Sequence, residues 1–173
     1  NAGRRNAYHE AIAALRKALA LLTTLTDSPE RTERELALQL TLGELLMAAQ
    51  GMASPDAGEA YTRAYALCQR VGETPQLFRV LSGLFLFHSA QARLRAGEEI
   101  GQQLFDLAQR QRDPVLVRDS YLLRGGVALY LGDLVVARAD LKQSLDLSAA
   151  QQLSTPISAS GLHPRIASLV WLV

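Results

Sequence analysis

The chain has 173 residues, 49% apolar and 20% charged, with a formal net charge of +1. That composition can bury the core of one ordinary domain and excludes a disordered chain, and the balanced charge, without blocks of like sign, argues against a phosphate-binding surface for nucleic acid. A single cysteine, Cys68, excludes an internal disulfide framework and fits a reducing, cytoplasmic setting.

The pattern predicts helices over 7–25, 29–50, 55–71, 75–95, 97–112, 114–131 and 133–149, with a last one opening near Pro164. The first carries Ala11, Ala18, Leu19 and Leu21 on one face. Ser28-Pro29 opens the second, by a capping side chain followed by a proline at the first helical position. Its residues Leu36, Leu40, Gly43 and Met47 form one apolar stripe. Leu38, Leu42, Leu45 and Ala49 form another, roughly 200° away, so this helix is expected to lie between neighbours. Ser54-Pro55 opens the third, with Ala57, Ala64, Tyr65 and Leu67 on its face. Thr74-Pro75 is read as opening the fourth, which carries an internal Gly83. Gly97, Leu104, Phe105 and Leu107 mark the fifth. Asp113-Pro114 opens the sixth, with Gly125 inside it, and Ala137, Ser144, Leu145 and Leu147 mark the seventh. A Ser/Gln-rich loop with Pro156 follows, and His163-Pro164 opens the final helix. No stretch alternates long enough to make a strand.

The small residues Ala57, Gly97 and Ala137 are spaced by forty, and Ala11 lies forty-six before the first of them. Ten positions after each stands a leucine: Leu21, Leu67, Leu107 and Leu147. The glycines Gly43, Gly83 and Gly125 recur at nearly the same spacing, although glycine inside a helix costs about 1 kcal/mol relative to alanine. Close helix–helix contact explains both series. The reading is one domain over 1–173 with approximate repeats 1–28 (partial), 29–73, 74–112, 113–150 and the start of another at 164–173. Ala11, Ala57 and Ala137 are expected to be buried at helix crossings.

These copies resemble tetratricopeptide repeats (TPR) in Leu42-Gly43, in "EAIAALRKAL" from Glu10, in "DAGEAYTRAY" from Asp56 and in "LGDLVVARADLKQSL" from Leu131. They depart from that family in length, since its repeat is about 34 residues. "LRKALALLTTLTDSPERTERELALQLTLG" and "AYTRAYALCQRVGETPQLFRVLSGLFLFH" are similar to the helical-repeat region of bacterial multidomain regulators. In those, a STAND or AAA-type ATPase is fused to a cyclase-like, kinase-like or helix-turn-helix domain. The resemblance implies an all-α, right-handed α-solenoid of antiparallel helix pairs. It implies a non-catalytic scaffold for protein–protein interaction or signal sensing in a larger regulatory ATPase. A freestanding adaptor is the alternative, and the helical part of an enzyme the less favoured one. The expected partners are a protein, a peptide or other domains of the same polypeptide. Neither nucleic acid nor a membrane is expected as a partner.

No catalytic, cofactor or metal site is expected. His9-Glu10 lacks the second histidine of a zinc-protease helix, Ala13 standing there. His9, His88 and His163 are scattered, and no phosphate loop is present. The glycines of "RGGVALYLG" lack a dinucleotide fingerprint, and Cys68 reads as a small core residue. Arg93, Arg95 and Arg110 read as a solvated face. If tetratricopeptide geometry holds, a concave partner-binding groove is lined by Glu44, Met47, Leu84, Phe87, His88, Asp119 and Tyr130. Ala48, Leu77, Leu122, Gly126 and Leu129 are minor contributors. Apolar runs such as Leu84–Phe87 and Leu169–Val173 fall far short of the ~18 residues that span a bilayer. The helix opening at Pro164 is expected to dock on the preceding helix pair and leave an apolar face open, or to pack against another copy as an effect of truncation. With no initial Met, the sequence is read as a segment of a longer polypeptide.

Overall fold

The computed structural model describes residues 2–72 and 74–150, and the expectations for Pro156 and Pro164 lie outside them. The described residues form seven α-helices and no strand: α1 (Ala2–Leu22), α2 (Pro29–Gln50), α3 (Pro55–Val71), α4 (Leu77–Ala90), α5 (Leu94–Gln111), α6 (Pro114–Leu131) and α7 (Leu134–Ala150). The described residues are all-α. Its contacts divide the chain into two compact units, Asn1–Gln91 with α1 to α4 and Ala92–Val173 with α5 to α7.

Three of the expected caps are present. Ser28 Oγ accepts from the Arg31 N–H at 3.2 Å, Ser54 Oγ from Ala57 at 3.3 Å, and Asp113 Oδ1 from Val115 at 2.8 Å. Each satisfies an N–H that the first helical turn leaves without a partner. Thr74-Pro75 behaves differently. Thr74 is buried with its hydroxyl 3.6 Å from Cys68 Sγ, so its side chain is turned away from the helix start. A turn closed by Leu77 N–H to Thr74 C=O delays α4 to Leu77. At the other end α4 stops at Ala90 rather than near 95, because Ala92 takes a left-handed backbone with φ 56°. The chain then re-enters a helix at Leu94, three residues before the expected start.

In the first unit α1 packs on α2, α2 on α3, α3 on α4, and α2 also reaches α4. The core gathers Ile12, Leu42, Leu46, Ala57 and Ala60. Tyr61 is the central element of this packing, only 3% exposed. One edge of its ring lies against Gly43 of α2, where an added methyl would stand 2.8 Å from Cε2. The other edge lies against Gly83 of α4, where a methyl would overlap the ring outright. The two glycines leave the width a phenol needs between α2 and α4. Gly58 accommodates the Phe87 ring in the same way.

The first copy corrects the expected register. Ala11 is half-buried and Leu21 is 68% exposed, while Ile12 and Leu22 are buried. The buried face of α1 is therefore shifted by one residue. In "EAIAALRKALALL" apolar residues occupy so many positions that two neighbouring faces satisfy the same spacing.

In the second unit α6 packs on α5 and on α7. Gly97, Gly101, Leu104, Leu107 and Ala108 bury one face of α5. Ala137, Asp140, Leu141 and Ser144 bury one face of α7. A methyl on Gly125 of α6 would stand 2.9 Å from Leu141 Cγ. Gly132 ends α6 in the left-handed region at φ 83°, and the Asp133 carboxylate then accepts from the Val136 N–H at 3.1 Å to start α7.

Candidate functional site

Within the first unit the expected groove residues separate into two groups. Leu84 and Phe87 are buried, and Phe87 serves as packing because Gly58 leaves room for its ring. Glu44, Met47 and His88 keep partial exposure. Met47 packs on the Ile12–Leu46 cluster. Glu44 accepts from Arg79 Nη2 at 2.5 Å, which ties α2 to α4 beside Tyr61. The His88 ring stands edge-on to Phe87 with centroids 5.3 Å apart. Burial raises the Tyr61 hydroxyl pKa far above its usual value, and the Glu44 charge adds to this.

In the second unit Tyr130 is 65% exposed. Asp119 is held against Arg118, whose Nε and Nη2 donate to its Oδ1 at 2.9 and 2.7 Å. Arg118 is itself 2% exposed, and its Nη1 has no hydrogen-bond partner among the described residues. Burial raises the Asp119 carboxyl above the usual carboxylate range, against the pull of Arg118.

The most structured polar arrangement was not foreseen. Arg124 of α6 makes a two-pronged pair with Asp140 of α7, Nε to Oδ2 at 2.6 Å and Nη2 to Oδ1 at 2.8 Å. Its guanidinium lies 4.0 Å from the centroid of Phe105, which is packed edge-on against Tyr121 at 5.0 Å. A planar cation can use its edge for the carboxylate and its face for the ring at once. Asp140 favours the charged form of Arg124 and outweighs the effect of burial. Arg124, so held, lines a cleft of about 340 Å³, with Glu98 and Asp133 among its polar residues and Val127 and Val136 among its apolar ones. Gln102 also lines it, with Oε1 3.5 Å from Arg124 Nη1.

This cleft offers a fixed cation, carboxylates, an amide and an apolar floor, which are means of recognition. Among the described residues no group of three or more His, Cys, Asp or Glu is placed to hold a metal ion. Among them, too, no helix is long and apolar enough to cross a membrane. Cys68 is a buried free thiol whose pKa is raised by burial. Arg95 pairs with Glu98 at 2.9 Å on an exposed surface. The sequence signal for the Arg124 pair is slight: one arginine inside the apolar run "YLLRGGVALYL", with its partner sixteen residues away. No family model matches the chain, and no curated protein and no solved structure is significantly similar to it.

Proposed function

We propose that the chain is a tetratricopeptide-like helical-repeat module, an α-solenoid segment that binds a protein or a neighbouring domain within a larger regulatory ATPase. The observation that carries this reading is one crossing made twice. In α2 and α3, Gly43 receives Tyr61, four residues after the buried Ala57. In α6 and α7, Gly125 receives Leu141, four residues after the buried Ala137. Two helix pairs closing through the same positions are what a repeated unit produces. Such a module acts by contact, and biases an attached ATPase only through unequal binding to its resting and active states.

Tyr130 supplies the test. A photo-crosslinking residue in its place, with the same residue at exposed Arg138 as control, reports on the partner directly. The proposal expects one discrete cross-linked species, from Tyr130 only. Equal, diffuse labelling at both positions overturns the assignment of Tyr130 to a partner surface.

A further inference from the structure

The cleft beside Arg124 is built within the second unit alone. Glu98 and Gln102 line it from α5, Arg124 and Val127 from α6, and Asp133 and Val136 from the turn into α7 and the first turn of that helix. Arg124 is not a free cation there, since Asp140 holds it by two bonds and Phe105 lies against its face. Its Nη1 is the nitrogen that Asp140 leaves over, and the 3.5 Å bond to Gln102 Oε1 uses at most one of the N–H groups there.

The charges on the lining, and those bonded to it, are unequal. Arg124 and Arg95, the partner of Glu98, are positive. Glu98 and Asp133 are negative, as are Asp140 on Arg124 and Asp106, whose Oδ1 accepts from Gln102 at 2.8 Å. The balance is acidic and favours a cation. Both lining carboxylates have capacity left. Asp133 accepts the Val136 N–H on Oδ1, and its Oδ2 makes no hydrogen bond among the described residues. Glu98 meets Arg95 with side chains 48% and 80% exposed, a setting in which an ion pair is weak and easily exchanged. The remaining lining, Val127, Ala128 and Val136, is apolar.

A compact ammonium on an alkyl stem satisfies both kinds of wall. A guanidinium fits less well, because it would set a second planar cation beside Arg124. Ligand sites run from about 300 to 1,000 Å³. At about 340 Å³ this one has room for a single long side chain and not for a helix. Its surroundings favour a polypeptide over a free amine. Tyr130, three residues after Val127, and Leu134, directly after Asp133, are 65% and 63% exposed and offer apolar contact to residues flanking the inserted one.

We infer that the cleft between α5, α6 and α7 receives a lysine side chain of a partner polypeptide, with its ammonium on Glu98 and Asp133 and its stem on Val127 and Val136. Arg124 Nη1 keeps an N–H for a backbone carbonyl of that partner. The inference rests on reading the chain as a partner-binding module, and it states what the partner must present.

The test titrates the isotope-labelled full chain with the blocked peptide acetyl-Leu-Ala-Lys-Ala-Leu-amide and follows the Gln102 side-chain amide and the Val136 backbone amide by NMR. Saturable shifts of both are expected at millimolar peptide. The same peptide with norleucine for lysine keeps the stem without the charge, and is expected to bind about fivefold more weakly or worse. Glu98→Gln, and Asp133→Asn, which keeps a capping side chain at the start of α7, are each expected to weaken the lysine peptide about two- to fivefold. Glu33→Gln, an acid of the first unit, is expected to change nothing. No shift at peptide saturation, equal binding of the norleucine peptide, or indifference to both Glu98→Gln and Asp133→Asn overturns the proposal. Butylammonium binding as tightly as the peptide also overturns it, by assigning the cleft to a free amine. A partner cross-linked at Tyr130 whose binding ignores both substitutions would keep the module reading and strike the cleft alone.

Discussion

Replacing Gly83 with alanine sets two effects of opposite sign against each other. Helix propensity alone favours the alanine by about 1 kcal/mol. Packing opposes it, because the new methyl would overlap the Tyr61 ring. The ring cannot retreat toward α2, where its other edge already lies so close to Gly43 that a methyl there would be 2.8 Å away. Overpacking of a closed core costs about 1–3 kcal/mol, and a ring blocked on both edges belongs at the upper end. The net expectation is a loss of about 2 kcal/mol, or a fall in Tm of about 4–8 °C for a chain of this size. Urea unfolding followed by helical circular dichroism measures it, with an unchanged slope showing that stability alone has moved. In a Tyr61→Ala background the obstacle is gone, and Gly83→Ala is expected to become neutral or stabilising. A Gly83→Ala variant as stable as its parent, or more so, refutes the two-edged seating of Tyr61.

Tyr61 also gives a pH expectation. Its folded pKa lies above the unfolded value of about 10, so above that pH the unfolded chain loses a proton that the folded chain keeps. Stability therefore falls as pH rises past about 10, and Tyr61→Phe is expected to reduce that loss in urea melts at alkaline pH. Asp140→Ala removes one partner of a largely buried pair and leaves the Arg124 charge uncompensated. The expected cost is about 3 kcal/mol, with part recovered in an Arg124→Leu/Asp140→Ala double variant. Cys68, 2% exposed with a raised pKa, is expected to react with a thiol reagent far more slowly in the native chain than in denaturant. Equal rates would contradict its burial.

What the sequence could reveal depended on how local the signal was. A capping side chain followed by proline is decided within one turn, and Pro29, Pro55 and Pro114 open helices as expected. The same signal failed at Pro75 because the Thr74 side chain has a partner in Cys68, six residues back, which the two-residue Thr-Pro pair cannot show. Internal glycines at Gly43, Gly83 and Gly125 marked close approach, since helix propensity gives no other reason for them. Their occupant was less legible, because nothing in the spacing assigns one Tyr61 ring to two glycines. The face of α1 was misread by one residue in an alanine- and leucine-rich stretch where neighbouring registers look alike. Leu84 and Phe87 were placed on a surface by analogy of position, whereas the room left at Gly58 draws Phe87 inward. Nothing in the sequence singles out Arg124 or Asp140, and only the packing of α6 on α7 brings them together.

The proposed repeat is tested most directly by double-mutant cycles at the two crossings that it treats as equivalent. Gly43→Ala is combined with Tyr61→Ala, and Gly125→Ala with Leu141→Ala, each measured by urea unfolding of the full chain. In both pairs the second substitution removes the atoms that the new methyl would meet. The account predicts coupling of the same sign at both crossings, on the order of 1 kcal/mol or more. Coupling at one crossing with additivity at the other, within about 0.5 kcal/mol, would contradict a shared repeat geometry.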